Sequence, residues 1–384
     1  MRVLFFNYEY PPLGGGGANA NAYLFKEFAR QKALQIDCVT SAVGTSDSCE
    51  EIAGNITLHR LAVGKKQLHY WTQPEVFRYL VRAQRLAGRL CKENSYDVCH
   101  AFFGFPSGLL AWLRRSKTPY LVSLRGSDVP GFNPRLSLQY KILSPLFKSI
   151  WRNAWSTVAN SVGLRELAQQ TTPQLNIDVI PNGIDTEQFS PVSVSEQVPG
   201  RILCVSRLVG RKGVQHLIEA MPIVLSHMPE AKLHLIGEGD LLSELKSRCV
   251  QLGIADSVVF EGYVSHDDLP THYREAVVYV QPSYYEGMSN TILEAMACGL
   301  PIVATGEGGK EELLRGNANT TPYADPEALA KAIVDLLQDK DRRLAMGKES
   351  REMAEGFSWR SVADRYLGMY QTMIDKPSPR TSKV

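Results

Sequence analysis

The chain has 384 residues, 44% of them hydrophobic and 21% charged, with a formal net charge of +2 at pH 7. That length exceeds what one ordinary core fills and fits two domains, while the composition excludes a disordered or fibrous chain. Seven cysteines, at 38, 49, 91, 99, 204, 249 and 298, form no CxxC pair and are odd in number, which predicts free thiols in a reducing cytosol and no structural metal. The most apolar stretch, VCHAFFGFPSGLLAWL, is broken by His100, Pro106 and Ser107, so no membrane span is expected. The start, MRVLFFNYEY, passes from Arg2 straight into a strand-like run and lacks the long apolar region of a signal peptide.

Short apolar runs alternate with helical periodicity from end to end, the mark of parallel α/β architecture. Strands are predicted near 3–7, 36–41, 56–60, 97–101, 119–124 and 155–159. The first junction, VLFFNYEYPPLGGGGANANAYLFKEFAR, sets Gly14 to Gly17 just ahead of a helix, where bare backbone can approach a phosphate or sugar. A nicotinamide site fits poorly there. Asn19 takes the third glycine position when Gly14 is the first, and the second strand, IDCVTSA, ends without an acidic residue to hold a ribose. A purely structural turn is the other reading of these glycines.

Charge is unevenly divided: residues 1–190 hold 21 Lys and Arg against 14 Asp and Glu, the remainder 21 against 26. Much of the excess lies on one predicted helix, QPEVFRYLVRAQRLAGRLCK, where Arg78, Arg82, Arg85, Arg89 and Lys92 recur at steps of four and three and share a face. Phe77, Leu80, Val81 and Leu90 lie largely off that stripe, so helix 75–92 is a candidate for contact with an anionic membrane surface; a solvated helix face is the alternative. No nucleic-acid partner is expected.

Between the halves, TEQFSPVSVSEQVPG at 186–200 reads as a linker. The expected domains are 1–188 and 198–358, with a last helix, 359–376, returning to the first domain on a stripe of Trp359, Val362, Tyr366, Tyr370 and Met373. In the second half RILCVS, KLHLIG, SVVFEG, VVYVQP and PIVATG read as buried strands. After the first of these, Arg207 leaves a strand end and Lys212 follows just before a helix near Val214; two cations there would neutralise a diphosphate. The segment YYEGMSNTILEAMACGLPIVA is a second strand-to-helix junction. Ser289 or Asn290 can cap it, Ile292, Leu293 and Met296 follow at helical spacing, and Gly299 with Pro301 ends it. The amides of Gly287, Met288 and Ser289 would face a phosphate with the helix dipole behind them. Glu286 and Glu294 flank that start, and carboxylates beside a phosphate site are useful only against an uncharged, hydroxyl-rich part of the ligand. The ligand should therefore carry both phosphate and sugar. A solvated helix residue at 294 and a loop charge at 286 is the plainer reading.

The stretches SRLVGRKG, GYVSHDDL, PSYYEGMSNTILEAMACGLPIVATGEGG and EGFSWRSVADRY resemble the retaining glycosyltransferases of family 4, whose hallmark E-x7-E is here Glu286 and Glu294. The likeness implies the GT-B fold, two doubly wound Rossmann-like domains facing an interdomain cleft. It further implies that Glu294 binds the ribose of a sugar nucleotide, while Glu286, Gly287, Met288, Ser289 and Asn290 hold the donor sugar and phosphate. Arg207 and Lys212 would grip the diphosphate, the backbone of Tyr263 and Val264 would meet the base, and Gly15 and Gly16 would close over the phosphates. Asn160, Ser161 and Asn182 match family positions near the cleft. In LVSLRGSDVPGF the chain departs from the family by carrying Arg125 where many relatives have a histidine, so Arg125 is expected either at sugar or acceptor or in a structural role. His100 is placed near the cleft or, alternatively, in the core.

The expected reaction moves a hexosyl unit, with retention, from a nucleoside diphosphate sugar to a glycan or lipid-linked acceptor in polysaccharide or lipopolysaccharide-type biosynthesis. No cofactor or metal is expected, since the one D-x-D, Asp339 and Asp341, sits on a charged helix end. A cytoplasmic enzyme, peripheral on a membrane face, follows. A sugar-nucleotide epimerase and a non-catalytic sugar-nucleotide-binding protein are the alternatives.

Overall fold

A computed structural model of the chain describes residues 1–68, 70–133, 136–193, 196–284, 288–305 and 313–376. It divides into two units, Met1–Gly183 with Trp359–Val384, and Ile184–Ser358.

The first unit is built on β1 (Arg2–Phe6), β2 (Gln35–Ala42), β3 (Ser48–Ala53), β4 (Ile56–Ala62), β5 (Val98–Phe102), β6 (Tyr120–Leu124), β7 (Ser156–Ala159) and β8 (Ile177–Val179). They form one sheet in the order β3-β4-β2-β1-β5-β6-β7-β8. All neighbours are parallel except β3, which turns back antiparallel on β4. The central strands are apolar on both faces because helices cover both. These helices are α1 (Gly16–Ala29), α2 (Gln73–Glu93), α3 (Ser107–Trp112), α4 (Ser137–Arg152) and α5 (Val162–Thr171). The exposed hairpin strand β3 was not foreseen: SCEEIA is polar on both sides and has no alternation to read.

The second unit holds β9 (Arg201–Val205), β10 (Lys232–Ile236), β11 (Val258–Gly262), β12 (Val278–Gln281), β13 (Ile302–Thr305) and β14 (Ala318–Thr321), in the order β11-β10-β9-β12-β13-β14. Its helices are α6 (Val214–His227), α7 (Leu242–Gln251), α8 (Leu269–Glu275), α9 (Asn290–Ala297), α10 (Pro326–Gln338) and α11 (Lys340–Glu355). The segment expected as a linker belongs to this unit. Phe189 is fully buried; Arg351 donates to the carbonyls of Thr186 and Phe189 at 3.2 and 3.0 Å, and Arg274 to those of Gln188 and Ser190 at 2.9 and 3.0 Å. Arginine side chains satisfy a backbone that has no ladder of its own, which is why no periodicity marks it. The unit begins at Ile184, four residues before the expected end of the first domain.

The last helix, α12 (Trp359–Asp375), buries Trp359, Val362, Ala363, Tyr366, Tyr370 and Met373 in the core of the first unit. Trp359 stacks on Tyr23 of α1 at 5.5 Å, and Gly183 lies so close that a Cβ there would come within 2.5 Å of the Trp359 ring.

The amino-terminal edge of the first sheet is held by charge. Asp37 on β2 accepts from Arg2 at 2.9 Å, from the Tyr96 hydroxyl at 2.9 Å and lies 2.9 Å from His59 Nε2. Burial alone would raise this carboxyl, but the bonds from His59, Arg2 and Tyr96 outweigh it and bring the pKa down to about 2. A pKa lowered by folding stabilises above the unfolded value and ceases to do so as pH falls through the folded one. Urea unfolding should therefore show native protein exceeding Asp37→Asn at neutral pH, with the gap closing as pH falls from about 4 to about 2. A gap that stays constant over that window would rule out this linkage.

Candidate active site

In the second unit the chain leaves β9 towards β10 and leaves β12 towards β13, so the loops after β9 and β12 splay apart at the carboxyl edge of the sheet. That is where open α/β sheets bind ligands. The loop after β9 carries exposed Arg207 and half-buried Lys212, the latter closing a 3-10 turn, Gly210–Lys212. Its position is fixed from several sides. Buried Leu208 donates its N–H to Glu238 O at 2.9 Å, and Tyr284, beyond β12, donates its N–H to Arg211 O at 3.0 Å. Gly213 has φ +68°, and a Cβ there would fall 1.9 Å from Pro282 O, so only glycine lets the cationic turn press onto the end of β12.

The other side of this crevice is the start of α9. Ser289 caps it, its hydroxyl accepting from Ile292 N–H at 3.4 Å, and Gly299 at φ +73° ends it. Met288 and Ser289 are buried and Asn290 is the first residue of the helix. Glu294 is buried rather than solvated. Tyr273 of α8 donates its hydroxyl to Glu294 Oε2 at 2.8 Å, and His266 Nε2 stands 3.4 Å from Oε1. The Tyr273 hydroxyl is pushed well above its ordinary value by burial and by the neighbouring carboxylate. His266 lies in the loop after β11 that also carries Tyr263 and Val264, and that loop thereby reaches α9. Tyr263 is 77% exposed. Glu286 and Gly287 lie outside the described residues. Asp339 and Asp341 lie elsewhere, where Asp339 caps α11 by accepting from Arg342 N–H at 2.9 Å.

In the first unit the strand order reverses between β1 and β5. The loop after β1 holds the glycines. Gly14, at φ +93°, sits over Glu9, whose Oε2 would be 2.5 Å from a Cβ at this position. Burial raises the Glu9 carboxyl, opposed by bonds from Tyr8, Trp71 and the Gly15 backbone and by the charge of Lys65. Gly15 caps α1 and Gly16 opens it, while a Cβ at Gly15 would meet nothing within 4 Å, leaving open room at the helix start. Gly17 packs on Phe103, the first residue after β5, held at φ +89°. Positive φ in a bulky side chain is strained, and such strain gathers at functional sites.

The remaining predicted contacts cluster at the carboxyl ends of β6 to β8. Arg125 donates to Asn182 Oδ1 at 2.8 Å and to the Tyr366 hydroxyl at 3.1 Å, and its guanidinium lies 3.7 Å from the Phe102 ring centroid. Ser161 caps α5, accepting from Leu164 N–H at 3.1 Å; Asn160 beside it is buried with its Oδ1 unpartnered. His100 is a correction: its ring is fully buried between the Tyr370 hydroxyl and Ser123 Oγ, both nitrogens engaged, so it is a core residue and not a surface for sugar or acceptor. Burial drives its pKa well below the ordinary value and keeps it neutral. The sequence reading passed over Asp128, which accepts N–H groups from Gly104, Arg125 and Gly126 at 2.5, 2.9 and 2.7 Å and ties the loops after β5 and β6 together. It also passed over His266 and Tyr273, since nothing in their spacing shows that they reach Glu294.

Comparison with known proteins accords with this geometry. A family model described as Glycosyltransferase Family 4 matches residues 14–188, and one described as Glycosyl transferases group 1 matches residues 185–353. An uncharacterised glycosyltransferase of Methanocaldococcus jannaschii is 26% identical over 98% of this chain and 99% of its own. A GDP-mannose-dependent α-(1-6)-phosphatidylinositol monomannoside mannosyltransferase of Mycolicibacterium smegmatis is 34% identical over 50% of this chain and 56% of its own. Among solved structures, sucrose-phosphate synthase from Thermosynechococcus elongatus superposes with a TM-score of 0.82 at 22% identity, covering 98% of this chain and 99% of that one. Anabaena HepE, in complex with UDP and glucose, gives 0.75 at 19% identity over 97% and 100%. The chain belongs to the glycosyltransferases of family 4 and has their GT-B fold.

Proposed function

We propose that this protein transfers a hexosyl unit, with retention of anomeric configuration and without a metal ion, from a uridine diphosphate sugar to a glycan or lipid-linked acceptor of a polysaccharide or lipopolysaccharide-type product. The observation that carries this reading is the junction at β9 and β12. A loop bearing Arg207 and Lys212 is pressed at Gly213 against Pro282, just past β12, and Glu294, in the helix that follows, is buried and oriented by Tyr273. As the sugar–phosphate bond breaks, negative charge grows on the diphosphate. Fixed cations and the dipole at Ser289 stabilise that charge more than they stabilise the ground state, which is the condition for catalysis. Glu294 accepts from ribose hydroxyls, Glu286 and the Gly287 amide take the donor hexose and phosphate, and Tyr263 and Val264 meet the base. A donor phosphate oxygen takes the acceptor proton on the face where the bond forms. Helix α2 meets an anionic membrane surface at the cytoplasmic face.

HepE, crystallised with UDP-glucose, supports a uridine donor. GDP-mannose is the second reading, favoured by the name of the mannosyltransferase that is 34% identical over half the chain. Calorimetry with UDP-glucose, GDP-mannose and an adenosine diphosphate sugar decides: the uridine compound should bind tightest, and preference for the guanosine one would replace it. Binding of none would remove the transferase reading. Turnover abolished by a chelator, or an inverted product anomer by NMR, would overturn the metal-free, retaining mechanism.

A further inference from the structure

Five of the seven cysteines, Cys38, Cys99, Cys204, Cys249 and Cys298, are buried. Burial pushes the thiols of Cys99, Cys204 and Cys298 up to about 12 and raises those of Cys38 and Cys249, so these sulfurs stay protonated and inert. The two exposed cysteines stand in different surroundings. Cys91 is on α2, whereas Cys49 is on β3, at one edge of the first sheet and directly across from His59 of β4.

Cys49 Sγ lies 3.6 Å from His59 Nδ1, and the other ring nitrogen, Nε2, lies 2.9 Å from Asp37 Oδ1. The strand register sets this row. Val39 of β2 pairs with His59, so Asp37, two residues before Val39, shares the face of His59, and Cys49 reaches the same face from the other neighbour of β4. Asp37 fixes the tautomer of the ring. With its pKa brought down to about 2 it is a carboxylate at neutral pH and can only accept, so Nε2 carries the hydrogen and Nδ1 turns a lone pair towards the sulfur. Arg2 and Tyr96 donate to Asp37 Oδ2 at 2.9 Å each, which leaves Oδ1 to the imidazole. The side chains of His59 and Asp37 are 15% and 9% exposed, so base and carboxylate are sheltered while the sulfur at the end of the row is open to solvent.

Nucleophile, base and carboxylate in this order are what an imidazole needs to activate a thiol. Glu51, two residues beyond Cys49 and opposite Thr57, shares its face, while Glu50 on the other face pairs with Arg60 at 3.2 Å. The negative sign of Glu51 favours a cationic or neutral reagent over an anionic one.

We propose that Cys49, with His59 as its base and Asp37 orienting that base, is a thiol-exchange site that takes a small cationic or neutral disulfide and carries a reversible mixed disulfide. His59 Nδ1 accepts the thiol proton as Cys49 Sγ attacks one sulfur of the reagent R–S–S–R. The new Sγ–S bond forms, the S–S bond of the reagent breaks, and the released thiolate leaves with the bonding pair and takes the proton from the imidazolium. Cys49 is oxidised and the departing sulfur reduced, so the disulfide is itself the oxidant. This chemistry goes beyond the transferase reading and stands without it, since no sugar nucleotide takes part.

Cystamine added to the full chain at neutral pH, followed by intact mass and peptide mapping against time, tests this without any variant, because Cys91 is an exposed thiol in the same molecule. Cys49 should gain the adduct about tenfold faster than Cys91, and dithiothreitol should remove it. His59→Gln should bring Cys49 down to the rate of Cys91 and leave Cys91 as it was, with urea unfolding showing that the variant is folded. Glu51→Gln should narrow the preference of Cys49 for cystamine over oxidised glutathione, which carries net negative charge. Cys49 reacting no faster than Cys91 in the native protein would overturn the proposal. So would a folded His59→Gln protein whose Cys49 keeps the native rate, and an unchanged preference in Glu51→Gln would remove the choice of reagent.

Discussion

Lys212→Ala should lower turnover about a hundredfold to a thousandfold, roughly 3–4 kcal/mol of transition-state stabilisation, with the fold intact. The size follows from preorganisation. Lys212 N–H bonds Val209 O at 2.9 Å, Gly213 locks the turn against Pro282, and Leu208, the residue after Arg207, is anchored by its N–H on Glu238 O, so the cationic loop is set before the donor arrives. A charge held in place does not have to reorganise as the leaving diphosphate gains charge, which is what separates it from a mobile surface lysine. The readouts are kcat and kcat/KM with the donor chosen by the calorimetric panel, beside thermal unfolding. Equal losses in both kinetic constants are expected for an interaction made in the transition state; a raised KM with unchanged kcat would assign Lys212 to ground-state binding only. Near-native turnover would remove the role altogether. Glu294 differs in kind: held by Tyr273 and buried, it should act chiefly on donor affinity.

Much of this site could be read from residue order. The strands that carry it, RILCVS and VVYVQP, are continuous apolar runs because both faces are covered, and α9 announces itself through the Ser289 cap and Gly299. What stayed hidden has a common cause. Strands β3 and β14 are polar or exposed and lack alternation, and 186–200 is held by arginines from far along the chain. The partners of Glu294 lie 21 and 28 residues away, and the Tyr366 hydroxyl that receives Arg125 lies 241 residues away. Periodicity reports which face a residue is on, not which distant side chain it meets. His100 shows the limit from the other side: a histidine at a strand end reads as a ligand contact until the returning helix α12 is seen to cover it.

Arg125→Met should cost the first unit about 3–5 kcal/mol of stability, because it removes one member of a buried polar set and leaves the others unmatched. The guanidinium satisfies Asn182 Oδ1 and the Tyr366 hydroxyl, packs on Phe102, and feels the charge of buried Asp128, whose carboxyl burial pushes up while backbone N–H groups, those of Gly104, Arg125 and Gly126 among them, hold it down. Burial lowers the Arg125 pKa in turn, and the charges of Tyr366 and Asp128 oppose this. Asn182 stands one residue before the end of this stretch of the first unit at Gly183, and Tyr366 lies on α12, so the arginine ties both to the loop after β6. The family histidine at this position could not span both contacts, and Arg125→His should recover only part of the loss. Urea or thermal unfolding measures the cost, and kcat/KM per folded molecule should stay close to native. If instead stability is unchanged and kcat falls, Arg125 reaches the sugar or the acceptor during catalysis, and its bonds to Asn182 and Tyr366 are a resting arrangement that substrate displaces.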